Sequence, residues 1–83
     1  MKSSDYAWII RGKQRRSILV VMDRDKIPSK ISKETKIALN NTSDVLRSFV
    51  KHHIALCVNE KEKTGRIYRL TEKGRKIRQK LLD

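Results

Sequence analysis

The sequence predicts a mainly helical domain with a small β-hairpin, and three features support this fold class. Residues 37–53 form an amphipathic helix, because their apolar side chains share one face when successive residues advance by about 100°. Two apolar segments, 55–59 and 66–70, enclose a charged turn at 60–65, as expected of a hairpin. Apolar residues also recur at helical spacing near both ends. A chain of 83 residues allows one such domain with a modest core.

The first 22 residues predict a helical region with two short helices and a break between them. Three residues of types that cap helix N-termini come first: Ser3, Ser4 and Asp5. Gly12 lies in a stretch without apolar side chains, and glycine costs about 1 kcal/mol inside a helix, so we expect the break there. The second helix then covers about 13–22. It begins with a basic cluster that is either a solvated face or a phosphate contact: Arg11, Lys13, Arg15 and Arg16.

Residues 28–53 predict a helix-turn-helix. Pro28 followed by Ser29 marks the start of a short helix over about 30–35, with Ser29 as its N-cap. Ile31 is its clearest core residue, and Ile37 fills the turn. The longer helix, 39–52, directs four side chains toward the core: Thr42, Val45, Leu46 and Phe49. A short helix, a tight turn and a longer helix make up this motif.

The hairpin at 54–71 completes the predicted fold. Its second strand carries two side chains on one face, Tyr68 and Leu70. Thr71 then caps a last helix at 72–83. These elements predict a single winged helix-turn-helix domain over 1–83, with a three-helix core, a wing, and additional N- and C-terminal helices.

The composition indicates a polyanionic partner. Lysine and arginine number 21 against 9 aspartate and glutamate residues, which gives a formal net charge of +12. The outward face of helix 39–52 carries side chains able to contact DNA: Asn40, Asn41, Ser43, Asp44, Arg47 and Lys51. We therefore interpret this helix as a recognition helix. Phosphate repels Asp44 unless this carboxylate accepts from a cytosine amino group or pairs with Arg47, and the pair is the simpler explanation.

Several other classes of protein find no support in the sequence. No apolar run approaches the roughly 18 residues of a membrane span or resembles a secretion signal, so we expect a cytoplasmic, nucleoid-associated protein without a membrane partner. We find no catalytic arrangement and no phosphate-cradling glycine loop, so we expect neither an enzyme nor a cofactor. Adjacent His52 and His53 should point apart, which disfavours a metal site with Cys57. We expect that cysteine to be a small buried side chain.

Three stretches carry a family resemblance: IIRGKQRRSIL at 9–19, the helix-turn-helix at 28–57, and GRIYRLTEKGR at 65–75. Together they span most of the chain, and they resemble the small archaeal winged-helix transcriptional regulators, relatives of the MarR and ArsR classes. The last stretch is the most specific, because a strand ending in Leu-Thr-Glu-Lys-Gly before a helix is habitual in winged-helix regulators.

This resemblance implies a mode of binding to double-stranded DNA. The recognition helix at 39–52 would enter the major groove, and the wing at 59–66 would lie along the backbone or minor groove. Carried over by position, the resemblance implies base contacts from Asn40, Asn41, Ser43, Asp44 and Arg47, and phosphate contacts from Lys61, Lys63 and Arg66. We add Ser29 and Lys30, at the start of the preceding helix, to the backbone contacts.

The chain departs from the family pattern at three positions. Lys36 and His53 stand where these regulators usually have a glycine in the left-handed conformation. Either these turns are strained by about 1 kcal/mol or their geometry differs. Ala38 stands where a serine or threonine cap is expected. Asn40 is the alternative cap, and in that case its side chain would not be free to contact a base.

Two other functions stay open. A sequence-indifferent nucleoid-associated or RNA-binding protein needs only the positive charge, but stacking on single-stranded bases also needs exposed aromatic residues. We expect all of these in the core or an interface: Tyr6, Trp8, Phe49 and Tyr68. A winged helix used for protein contacts should have an uncharged recognition face, unlike this one.

Apolar residues near both termini predict a homodimer. Seven of them lie outside the helix-turn-helix and the wing: Tyr6, Trp8, Ile9, Ile10, Ile77, Leu81 and Leu82. In a chain this small, a contiguous exposed patch of this kind usually marks an interface, and related regulators pair through their terminal helices. The alternative is a monomer in which the first helix lies over the last one and Trp8 joins a single core.

Overall fold

The computed structural model describes residues 3–83 of the chain, with side chains from Asp5 onward. These residues form five helices: α1 (Ser3–Arg11), α2 (Lys13–Val21), α3 (Pro28–Thr35), α4 (Leu39–Lys51) and α5 (Glu72–Leu82). Two strands, β1 (Ala55–Cys57) and β2 (Tyr68–Leu70), pair in an antiparallel sheet. The predicted mainly helical class with a small hairpin is therefore confirmed. The cap predicted at the Ser3 and Ser4 side chains lies outside the described residues.

The N-terminal break lies at Gly12, as predicted. Gly12 has an extended backbone between α1 and α2, with φ −103° and ψ 109°, and α2 ends one residue before the predicted boundary. The prediction that Asp5 caps α1 is wrong, because Asp5 lies inside the first turn of that helix. Its carboxylate instead contacts Lys73 and, at 3.3 Å, Nδ1 of His52, which joins α1 to α5 and to the end of α4.

Helix α3 begins at Pro28, two residues before the predicted start. The prediction of Ser29 as N-cap is wrong, because Ile27 occupies that position and no side chain caps the helix. Proline suits the first helical position, since it has no N–H to leave unpaired and its φ is already close to the helical value. The backbone N–H groups of Lys30 and Ile31 both donate to the Ile27 carbonyl, at 3.2 Å, and close the first turn.

Two residues without the freedom of glycine adopt the left-handed conformation at the ends of α3 and α4. Lys36 has φ 62° and His53 has φ 60°, so both turns have the left-handed geometry that favours glycine. Each position costs about 1 kcal/mol relative to glycine. Local hydrogen bonds offset this cost at the first turn: the Lys36 N–H donates to Ser32 O at 2.8 Å, and the Ser32 hydroxyl donates to Ile37 O.

Helix α4 supplies the centre of the core, and its predicted inward face is confirmed. Thr42, Leu46 and Phe49 are fully buried, and Val45 packs against the same cluster. The core residues around this face come from every other helix and from the segment before β1: Ile9, Ile18, Leu19, Ile31, Ile54 and Ile77. The Thr42 hydroxyl donates to Ala38 O at 3.0 Å, so its burial leaves no unpaired polar group.

The strands are shorter than predicted, because a side chain takes over from the backbone ladder. Beyond Cys57 the last ladder bond runs from the Val58 N–H to Ile67 O, at 2.9 Å. Asn59 then accepts from the Ile67 N–H at 2.7 Å and donates to Gly65 O at 3.1 Å. This amide bridges the two arms of the β1–β2 loop. On β2, Tyr68 and the second inward residue, Leu70, are both buried, as predicted.

Lys26 is a buried lysine that the sequence does not reveal. Its backbone pairs with Tyr68 on the free edge of β2, and its side chain is only 7% exposed. The ammonium group donates to the Val21 carbonyl and to Glu34 at 2.6 Å, and lies 3.0 Å from the Asp23 carboxylate. The segment between α2 and α3 is therefore fixed to the sheet.

Part of the terminal apolar surface is used within one chain, and the homodimer stays a prediction. Ile9 and Ile77 are buried, and three more pack against the core: Tyr6, Trp8 and Leu81. Of the seven, Ile10 and Leu82 are exposed, at 38% and 49%. Trp8 meets Phe49 edge to face at 6.1 Å between ring centroids. This arrangement matches the alternative in which α1 lies against α5 and Trp8 joins the core. Within the described residues, no helix combines the length and apolarity that a bilayer span requires.

Ion pairs predict a loss of stability in acid. Hydrogen bonds from a neighbouring cation lower the pKa of four carboxyl groups: Asp5 beside Lys73, Asp23 and Glu34 beside Lys26, and Asp25 beside Arg69. A carboxyl whose pKa is lower in the folded state stabilises the fold above its unfolded pKa of about 4, and this contribution is lost as the pH falls through the folded value. We therefore expect the free energy of unfolding to be steady from pH 7 to about 5 and to drop below about pH 4, as measured by urea unfolding.

Two variants test the origin of this acid dependence. Asp25→Asn removes one carboxylate, which Arg69 holds at 2.8 and 3.0 Å, and should make the decline shallower. Glu60→Gln is the matched control, because Glu60 has no cationic side chain within 4 Å among the described residues. A free energy of unfolding that stays constant down to pH 3 would contradict the prediction.

Candidate nucleic-acid interface

The outward face of α4 presents the residues predicted to read DNA. The exposed ones are Asn40, Asn41, Asp44, Arg47 and Lys51, and Ser43 is half-buried. Ala38 occupies the N-cap position, so the alternative in which Asn40 caps the helix is wrong. The Asn40 side-chain amide is therefore not used for capping. With 13 residues, α4 presents this face over about 20 Å.

Arg47 and Asp44 form the ion pair that the sequence suggested. Their side chains are 65% and 66% exposed, and the two residues are three apart on the helix. A solvent-exposed pair of this kind contributes about 0–1 kcal/mol, so the guanidinium can exchange the carboxylate for another acceptor at little cost. The pair also offsets the negative charge of Asp44 on this face.

A groove of about 400 Å³ separates α4 from the β1–β2 loop, and we call it the hairpin groove. Its lining includes five of the predicted DNA-contacting residues: Ser29, Ser43, Arg47, Lys63 and Arg66. Apolar side chains complete it, among them Ile27 and Leu39. The five predicted residues come from the first turn of α3, from α4 and from the loop. The fold therefore brings three separate parts of the predicted interface onto one concave surface.

The remaining predicted residues lie outside the hairpin groove. Lys30 is on α3 and pairs with Glu34 at 3.7 Å, and Lys61 is exposed on the β1–β2 loop. Asn40 and Asn41 lie on α4 but do not line the groove. Lys51 lies at the opposite end of α4 from Leu39. The predicted DNA-contacting residues thus form one cluster in the hairpin groove, and the others lie outside it on α4, α3 and the loop.

Hydrogen bonds within the β1–β2 loop position its basic side chains. The Arg66 Nε donates to the Glu62 carbonyl at 2.8 Å, and the Glu62 N–H donates to Asn59 O at 2.9 Å. Gly65 has φ +66°, which glycine adopts without strain. Together with the Asn59 bridge, these bonds hold Lys63 and Arg66 beside α4. Sequence analysis did not assign Asn59, although asparagine in a polar turn is a known signal of this kind.

Leu39 is a second groove residue that sequence analysis did not assign. It is the first residue of α4 and is 51% exposed, although leucine is usually a core residue. Its side chain lies in the hairpin groove near Ile27, which is also exposed. Its position as an apolar residue on the polar side of the helix could have indicated from the sequence that it belongs to a binding surface.

Ion pairing distributes the positive charge unevenly. Six of the nine acidic residues pair with a cationic side chain: Asp5, Asp23, Asp25, Glu34, Asp44 and Glu72. Among the described residues, several cations near α4 or on the loop have no acidic partner within 4 Å: Lys13, Lys51, Lys61, Lys63 and Arg66. Other described cations without an acidic partner within 4 Å lie elsewhere, among them Lys33, Arg75 and Lys80, so the positive charge near α4 is one part of the total.

The histidines and the cysteine are placed apart. His52 stacks on Trp8, with ring centroids 4.1 Å apart, whereas His53 is exposed. Cys57 is half-buried rather than fully buried as predicted, because it lies on a strand of a sheet that has only two strands. Its Sγ lies 3.5 Å from Asn59 Oδ1. These three side chains do not converge on one point.

Comparison of this chain with protein-family models, curated proteins and solved structures finds no match. The function must therefore be inferred from the surface itself. The features that bear on it are the exposed face of α4, the hairpin groove, and the cations without acidic partners.

Proposed function

We propose that this protein is a winged helix-turn-helix regulator of transcription that binds double-stranded DNA. In this proposal α2, α3 and α4 are the three-helix core, the β1–β2 hairpin is the wing, and α1 and α5 are the additional helices of one domain. Helix α4 enters the major groove, and the wing contacts the backbone or minor groove. The observation that carries the proposal is the hairpin groove, which places Arg47 beside Lys63 and Arg66.

The groove combines the two kinds of contact that sequence-specific DNA binding needs. Contacts to phosphates position a protein on the duplex, and contacts to base edges give specificity. Lys63 and Arg66 can bind phosphates, whereas Arg47 carries the planar donors that bind guanine O6 and N7. An α-helix with its side chains is about 10–12 Å across, close to the roughly 12 Å width of the major groove. The exposed face of α4 can therefore reach the bases while the loop meets the adjacent backbone.

Sequence-indifferent binding is the second candidate, and the net charge of +12 favours it. Such a protein would gain its affinity from the same cations but would not depend on Arg47 for choice of sequence. Stacking on single-stranded bases has less support, because Phe49 and Tyr68 are buried and Trp8 is stacked on His52.

Two substitutions in the hairpin groove should have different effects on DNA binding. Arg47→Ala removes a base contact and should cost about 1–3 kcal/mol on the preferred duplex, with a smaller loss on random duplexes. Lys63→Ala removes a phosphate contact and should weaken binding to every duplex by the same factor. The preferred duplex would first be selected from a random pool, and affinities measured by fluorescence anisotropy.

Arg24→Ala is the matched control for the loss of an arginine. Arg24 is 76% exposed, lies outside the hairpin groove and pairs only with Asp23, at 3.8 Å, among the described residues. Arg24→Ala should leave the ratio of the affinity for the preferred duplex to the affinity for random duplexes unchanged. If Arg47→Ala and Lys63→Ala lower binding to preferred and random duplexes by equal factors, α4 does not read sequence, and the sequence-indifferent function is favoured.

A further inference from the structure

A second groove, of about 610 Å³, lies along α4, and we call it the helix groove. One wall is α4, and the other is the junction between α1 and α2. The residues that matter for its chemistry are Trp8, Lys13, Arg15, Asp44, Ser48 and Lys51. Nothing in the proposed function so far uses the α1–α2 wall.

The two grooves lie on opposite sides of the exposed ridge of α4. At about 100° per residue, Ser43 and Arg47 of the hairpin groove lie on one side of Asn40, and Asp44 and Ser48 of the helix groove lie on the other. A helix that fills the major groove has a phosphate backbone along each side, because the groove is bordered by both DNA strands. The helix groove therefore lies where the second backbone would run.

The charges in the helix groove suit an anion. Among the described residues, Lys13 and Lys51 have no acidic side chain within 4 Å, and both are exposed. Asp44 is the acidic residue on the lining, and its carboxylate pairs with Arg47. The groove thus presents two unpaired ammonium groups, one on each wall.

Aromatic stacking fixes the wall that carries Lys13. The Arg15 guanidinium lies 4.4 Å from the centre of the Trp8 ring and donates to Trp8 O at 2.6 Å. His52 also stacks on the Trp8 ring, at an interplanar angle of 10°. Arg15 is therefore engaged within the protein, and this packing joins the α1–α2 junction to the end of α4. The start of α2, which carries Lys13, therefore lies beside α4 across the helix groove.

We infer that the helix groove binds a phosphodiester backbone of duplex DNA through Lys13 and Lys51. The protein then contacts both strands that border the major groove, one through the hairpin groove and the other through the helix groove. This inference rests on the proposed function. It also assigns the basic start of α2 to phosphate binding rather than to a merely solvated face, and it gives Lys51 a phosphate contact.

Salt titrations of single variants test the inference. Lys13→Ala and Lys51→Ala should each make the slope of log K against log salt shallower by about 0.9, and lower affinity about 5- to 10-fold near 0.1 M salt. The preference for the selected duplex over random duplexes should not change. Both lysines are exposed, so circular dichroism should show unchanged folding.

Substitution of single phosphates by uncharged methylphosphonates then identifies the strand. Lys13→Ala should abolish sensitivity at the phosphate that Lys13 contacts on one strand, and Lys63→Ala should abolish it at a phosphate on the other strand. Lys76→Ala is the matched control, since Lys76 is on α5, is 74% exposed and lines neither groove.

The outcomes separate this inference from the proposed function. If the wild-type protein binds no duplex DNA, the proposed function fails. If the wild-type binds but Lys13→Ala and Lys51→Ala match Lys76→Ala, the helix groove is not a backbone site, and the proposed function stands. Sensitivity confined to one strand in the wild-type would likewise overturn the two-strand contact.

Discussion

Replacing Gly74 with alanine is expected to destabilise the protein by at least about 3 kcal/mol. A Cβ at this position would lie 2.0 Å from the carbonyl oxygen of Ile54, far inside van der Waals contact, and the atom it meets is backbone rather than a movable side chain. Overpacking of a buried site typically costs about 1–3 kcal/mol and more where the neighbour cannot yield. Small domains have about 5–15 kcal/mol in total, so this change would remove a large fraction.

Hydrogen bonds explain why α5 must approach Ile54 so closely. The Thr71 N–H donates to Ile54 O at 3.0 Å, and the Thr71 hydroxyl accepts from the Gly74 N–H at 3.0 Å. The cap residue thus holds the first turn of α5 against the segment that precedes β1, which confirms the predicted cap at Thr71. Glycine is required at position 74, because the Ile54 carbonyl oxygen occupies the space that a side chain would need.

The other two glycines provide matched controls. At Gly65 an added Cβ meets nothing within 4 Å, but φ is +66°, so alanine should cost about 1 kcal/mol. At Gly12 the added Cβ would meet the Arg15 side chain and displace it from Trp8, but a side chain can move without the backbone, so alanine should cost less than at Gly74. Urea unfolding followed by circular dichroism and by Trp8 fluorescence would measure all three. A Gly74→Ala protein as stable as Gly65→Ala would show that α5 does not lie against Ile54 in this way.

Affinity for duplex DNA is expected to fall about 500-fold between 50 and 200 mM salt. Five cations without acidic partners flank α4 or lie on the loop: Lys13, Lys51, Lys61, Lys63 and Arg66. Each phosphate contact releases condensed counterions and contributes about −0.9 to the slope of log K against log salt, so about five contacts give a slope near −4 to −5. Anisotropy titrations at four salt concentrations would measure it.

Single-stranded DNA of the same length is the control for this salt dependence. Its slope per contact is about −0.7, and it cannot present the major groove to α4, so both its affinity and its slope should be smaller. A flat dependence on salt for the duplex would remove the DNA-binding proposal together with the inference about the helix groove.

Local sequence signals were sufficient for the helices and for the cap at Thr71, but not for the caps expected at Asp5 and Ser29. The apolar periodicity of 39–52 correctly placed Thr42, Leu46 and Phe49 in the core, because a helix turns at a constant angle whatever lies beside it. Thr71 was recognisable as a cap, since capping depends on residues within one turn. The break at Gly12 and the outward face of α4 follow from the same short-range rules. The candidate recognition residues could therefore be named from the chain alone.

Contacts between distant segments decided the rest. Lys26 is buried because Tyr68, far along the chain, pairs with its backbone, and Asp5 leaves its expected capping role because Lys73 and His52 come within reach. Ile9 and Ile77, which the sequence analysis counted among the exposed terminal residues, are buried in the core. Both grooves likewise exist only after folding, since each forms between α4 and a segment remote in sequence. Periodicity reports which face of a helix is apolar, but it cannot report which neighbour will cover that face, because burial depends on long-range packing.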